Sequence, residues 1–187
     1  MVRTRLIYRS LAEIVGSDGL AIITLTDEPL ARALSIVCDG TMRNQLQMRA
    51  AHSELCQSML PEVLSMMLDD YVKMQKLEIM IYSIRNGQYM VTLMNTDNYS
   101  IYSIRISDAI LLNVIADVPI YIDEELMKAQ SAPYNPNLQQ VSIPINTLDT
   151  EKLKTELEKA VEKEDYRLAS YIKEELNRRA TQNDTKQ

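Results

Sequence analysis

Asn86-Gly87 stands between two runs rich in β-formers, KLEIMIYSI at 76–84 and QYMVTLM at 88–94. A two-residue hairpin turn needs positive φ at both central positions, and Asn-Gly supplies it, so this pair predicts two antiparallel strands. A lone hairpin is unstable in water, so more sheet must accompany it. The segment YSIYSIRI at 99–106 reads as the third strand of that set, after the polar TDN. Earlier in the chain, residues 2–9 and 20–26 read as strands separated by the turn residues Ser17-Asp18-Gly19. TLTDEPLARALSIV at 24–37 reads as a hairpin with Asp27-Glu28-Pro29 at its turn.

Each set of three strands is followed by helical spacing. Met42, Leu46 and Ala50 recur at a helical period, with Asp39 or Thr41 placed to cap, and a second helix is predicted over about 58–72. Its apolar set is Leu60, Val63, Leu64, Met67, Leu68 and Tyr71, and Pro61 is tolerated in its first turn. After the second set, a helix over about 107–116 precedes a short strand from Pro119 and a helix started by Asp123-Glu124-Glu125. The fold class is therefore α+β, with an architectural repeat that leaves no sequence repeat. Residues 131–148, with Pro133, Pro136 and Pro144, read as a linker. Beyond it, Leu153, Leu157, Ala160 and Val161 make one apolar stripe and Ala169, Ile172 and Leu176 another, which predicts a helical hairpin over 149–180 and a disordered tail at 181–187. Two short helices bury little alone, so a protein partner on the Leu157–Leu176 hairpin is expected.

Composition narrows the function. With no Phe, no Trp and ten Tyr, tyrosine must supply the aromatic packing of the sheet. Tyr82, Tyr89, Tyr99, Tyr102 and Tyr121 all fall on predicted strands, where cross-strand packing is the commoner role and base stacking the alternative. Four glycines and no Gly-rich loop exclude a cradle for nucleotide phosphates. No segment has the length of a membrane span, and the N-terminal residues lack the apolar run of a signal peptide, so a cytoplasmic protein is expected. Cys38 and Cys56 read as buried thiols in a reducing compartment. The net charge is −6, and residues 150–187 carry nine basic and nine acidic groups, so the whole excess of acid precedes residue 150. That opposes broad phosphate neutralisation, but not a site that is acidic until a cation binds.

Ser107-Asp108 interrupts an apolar run where a strand becomes a helix, and the pattern predicts Ser107 as N-cap and Asp108 as a first-turn acid. Arg105 lies two residues earlier, so a base and an acid converge there, either to orient a phosphate and a metal or to neutralise each other. Asp39, Glu62, Asp69-Asp70 and Asp123-Glu124 are further acids without diagnostic spacing. His52 is the single histidine and reads as a helix-end residue, with no nucleophile motif to pair with it.

Residues 1 to about 130 resemble the bifunctional nuclease family, through RALSIV at 32–37, SIRNGQYMVTL at 83–93 and, above all, RISDAILLNVIADVPIYI at 105–122. The resemblance implies a barrel-like mixed sheet built from two β3-α repeats and hydrolysis of phosphodiesters in DNA or RNA. It implies Asp108, Glu62, Arg105 and Ser107 as site residues; in an active enzyme Mg²⁺ or Mn²⁺ held by Asp108 and Glu62 would activate a water, with Arg105 steadying the phosphate. No organic cofactor and a homo-oligomer are expected. Residues 150–179 resemble the UVR motif of excision-repair nuclease subunits, a helical hairpin for protein contacts, through AVEKEDYRLASYIKEEL. Three departures weigh against activity. Where the family carries a Trp-containing run, a helical Glu and a Thr-His-Asp, this chain has Leu34-Ser35-Ile36-Val37-Cys38-Asp39, Met42 and Leu60-Pro61-Glu62. The alternative expectation is thus a non-catalytic oligomeric adaptor.

Overall fold

The computed structural model describes residues 2–14, 19–85, 87–136 and 150–162, and single positions between 166 and 177. They fall into two compact units, one holding a sheet with four helices and one holding the C-terminal helix.

In the first unit, β1 (Arg3–Glu13), β2 (Ala21–Asp27) and β3 (Arg32–Cys38) form an antiparallel meander. The β2–β3 turn closes because Asp27 Oδ1 accepts from the backbone N–H groups of Ala31 and Arg32 at 2.8 and 3.0 Å. Helix α1 (Gly40–Ala50) follows, and Asp39 caps it by accepting from Met42 N at 2.8 Å. A 3-10 turn at Glu54–Ser58 leads into α2 (Leu60–Val72), with Pro61 in the first turn. The second meander is β4 (Leu77–Arg85), β5 (Gln88–Asn95) and β6 (Ile101–Ile104), followed by α3 (Ile106–Ala116). Asp117, at φ 52°, ends α3 in the left-handed region, and Asn113 Nδ2 donates to Val118 O at 2.9 Å across the turn. The chain then adds β7 (Ile120–Asp123), α4 (Glu124–Gln130) capped by Asp123, and β8 (Ala132–Pro133).

All eight strands share one sheet, in the order β6-β5-β4-β7-β1-β2-β3-β8. Four-residue β7 is the joint: it runs antiparallel to β1 and parallel to β4, pairing Ile120 with both Leu6 and Ile79. Residues of one face, including Ile23, Leu25, Ile36, Ile79, Ile120 and Ile122, pack with Met42 and Leu46 of α1 and Ala109 and Ile110 of α3. Each such fully buried aliphatic contributes roughly 2 kcal/mol. The expected two-fold repeat of three strands and a helix is present. The expected barrel is not: β6 pairs only with β5 and β8 only with β3, so the described sheet is open with two free edges. Closure fails because β6 spans four residues and β8 two, too short to tilt into a shared ladder.

The second unit contains α5 (Thr150–Glu162). Leu153, Ala160, Ala169 and Ile172 form a buried cluster, with Leu157 and Leu176 packed on it. The linker at 137–148, the break at Glu164-Asp165 and the tail at 181–187 lie outside the described residues. Among the described residues no helix is long and apolar enough to cross a membrane.

Candidate functional site

Helix α3 begins two residues earlier than the Ser107 cap predicts. Arg105 is the N-cap, in extended geometry at φ −70° and ψ 145°, and its carbonyl accepts from Ala109 N at 2.9 Å. Ser107 therefore sits inside the first turn, where its hydroxyl cannot reach back to cap. Asp108 does not cap either: its carboxylate takes two parallel hydrogen bonds from Arg105, Nε to Oδ2 at 2.6 Å and Nη2 to Oδ1 at 2.9 Å. This is the bidentate fork geometry that a guanidinium shares with carboxylate and phosphate. The Arg105 pKa is raised above its ordinary value, first by the Asp108 hydrogen bond, then by that carboxylate's charge, with Asp39 adding to it. Asp39 and Arg105 occupy equivalent places, each between the third strand of a meander and its helix. The repeat thus brings the starts of α1 and α3 into one electrostatic neighbourhood. Arg105 is well exposed at 77 %, and two of its five N–H groups are spent on Asp108. Three donors still face outward.

Glu62 lies elsewhere. Its Oε1 is 2.6 Å from Arg49 Nη2, in an ion pair whose side chains are only 15 % and 6 % exposed. Arg49 Nη1 is anchored by Gln45, donating to its backbone and side-chain oxygens at 2.7 Å each. The contact between Arg49 and Glu62 is close but angled, so it is an ion pair without an aligned hydrogen bond, and Glu62 Oε2 and Arg49 Nε have no hydrogen-bond partner. Glu62 also lines a cleft of about 790 Å³ together with Ser65, Asp69, Ile115, Ala116 and Asp117. These last three mark the C-terminal end of α3, whereas Asp108 is in its first turn; eight residues of helix separate the two ends by about 12 Å.

The structure brings together Arg105, Ser107 and Asp108, with Asp39 nearby, and keeps Glu62 apart from them. Among the described residues no group of three or more His, Cys, Asp and Glu side chains is arranged to hold a metal ion. Each Asp108 oxygen accepts one hydrogen bond from Arg105, while Glu62 lies by the opposite end of α3. Asp69 serves its own loop, accepting from Met74 N at 2.8 Å, and Asp123 caps α4. His52 is exposed just past α1, as a helix-end residue. Of the tyrosines, Tyr89 is buried and Tyr121 lies under Arg3, whose guanidinium carbon is 4.0 Å from the ring centroid, while Tyr82, Tyr99 and Tyr102 are exposed. Arg49 was missed from sequence because its partner lies thirteen positions on, across a turn, a spacing that carries no signal.

An open mixed sheet whose two strand-to-helix junctions meet beside an exposed arginine–aspartate pair is the arrangement the residues at 105–122 foreshadow. The chain belongs to the bifunctional nuclease domain family, whose family model matches residues 23–135. No curated protein matches it.

Proposed function

We propose that this chain is a nuclease that hydrolyses phosphodiester bonds of DNA or RNA, with the first turn of α3 as the place where the phosphate is held. Membership of the bifunctional nuclease domain family is the observation that carries this reading. Arg105 offers three free N–H donors to the non-bridging oxygens, and stabilising the charge that develops there as water attacks phosphorus is the larger part of such catalysis. Asp108 acts as a positioning residue that fixes the guanidinium plane, and Ser107 offers a hydroxyl one residue away. Glu62 stays in its ion pair with Arg49, away from the first turn of α3. The free, buried Cys38 and Cys56 support placement in the cytoplasm.

The test compares the protein with Arg105→Met and Asp108→Asn variants on single- and double-stranded DNA and RNA, with Mg²⁺, with Mn²⁺ and with chelator. The expected outcome is cleavage that drops about 100-fold in Arg105→Met and less in Asp108→Asn. Equal cleavage by all three proteins overturns the assignment. Cleavage abolished by chelator, with Asp108→Asn the more damaging variant, would restore Asp108 as a cation ligand.

One observation favours the second reading, a non-catalytic adaptor: both Asp108 oxygens are already satisfied inside the chain. In either case we read residues 149–180 as a UVR-like hairpin that docks a protein partner. The apolar seam of Leu153, Ala160, Ala169 and Ile172 supports the hairpin.

A further inference from the structure

Helix α2 is amphipathic the wrong way round. The side it turns to its own unit carries Ser65, which is buried, and Glu62. On the far side Leu60, Leu64, Met67, Leu68 and Tyr71 are all between 45 and 85 % exposed. At 100° per residue these five fall within a single arc of about 100°, a continuous stripe along the whole helix. Leu55, in the 3-10 turn that leads into α2, adds a further exposed leucine at 68 % exposure. A monomeric protein rarely shows an apolar surface of this extent to water.

We propose that this stripe is the interface of a two-fold symmetric dimer, in which α2 packs antiparallel on α2 of a second copy. Spacing selects that occupant. Leu60, Leu64, Met67 and Tyr71 are separated by four, three and four residues, so the stripe reads the same in both directions about a point between residues 65 and 66. An antiparallel copy therefore sets Leu60 against Tyr71 and Leu64 against Met67, each pair occurring twice, as an isologous contact requires. Charge agrees: the stripe contains no ionised group, so two copies can bury it against each other without desolvating a charge. The five stripe residues expose on the order of 600 Å² per copy, close to the roughly 800 Å² that a stable interface buries on each side.

The register allows a decisive experiment on the full chain by sedimentation velocity across the micromolar range. The unmodified protein is expected to be a dimer. Leu64→Glu and Met67→Lys, both on the exposed face and so harmless to folding by circular dichroism, are each expected to weaken dimerisation about 100-fold or more by burying an unpaired charge. An equimolar mixture of the two variants is expected to dimerise again, because the introduced glutamate then faces the introduced lysine. An unmodified protein that stays monomeric, as it would if another segment of the chain covered the stripe, overturns the proposal. So do single variants that remain dimeric, or a mixture that does not recover.

Discussion

At the scale of single residues, the two acids singled out from the sequence meet different fates. Asp108 ends on an exposed arginine and Glu62 on a buried one. Removing one partner of a buried pair leaves the other charge uncompensated, so Arg49→Ala is expected to cost about 3 kcal/mol in denaturant unfolding. The double variant Arg49→Met, Glu62→Leu is expected to recover most of that loss; an unrecovered double variant would show that packing, not charge, sets the cost. Cys38 makes a second case. Burial, and then the neighbouring Asp39 carboxylate, push its thiol from 9.0 up to about 11. Between those values the folded chain keeps a proton that the unfolded chain releases, so Cys38 stabilises the fold below pH 9 and that stability declines as pH rises towards 11. In a Cys56→Ser background, alkylation at pH 8 is expected to be slow until denaturant is added; rapid labelling of the native protein would refute it. The caps at Asp39 and Asp123 were legible beforehand because capping depends on the residue and its immediate neighbours alone. The cap was misplaced by two positions because Arg105, a poor capper by type, takes that place with its side chain committed to Asp108.

At the scale of elements, periodicity located the stripe of α2 without telling which way it faces. An apolar stripe ordinarily points inward, and here it points outward because the inner side is occupied by the Arg49–Glu62 pair and Ser65. The hairpins were legible since Asn-Gly and Asp-Glu-Pro act through local dihedrals, as Asp27 demonstrates by closing its own turn. Strand β8 was not, because two residues inside a Pro-containing stretch carry no pattern; it exists through pairing of Arg32 and Ala33 with Pro133 and Ala132. Asp39→Ala removes the only side-chain cap of α1 and is expected to cost about 1 kcal/mol, seen as a fall of roughly 2–4 °C in the thermal midpoint. An unchanged midpoint would mean that packing against α3 alone holds the helix start.

At the scale of the molecule, the two units have separate apolar clusters. Deleting residues 150–187 is therefore expected to leave a sheet unit that unfolds in one cooperative transition by circular dichroism; loss of that transition would show that the first cluster depends on the second. Sheet order was illegible from sequence, since nothing in PIYI says that it separates the two meanders. That insertion has a consequence for synthesis. Neither half can complete its ladder until β7 has left the ribosome, because one four-residue strand satisfies an edge of β1 and an edge of β4 at once. A nascent chain that has released β1 and β4 but not yet β7 consequently carries two unpaired inner edges, open to pairing with the wrong neighbour. Strand β7, made after both meanders, closes them both, and the rate at which it emerges sets how long the growing chain is open to aggregation.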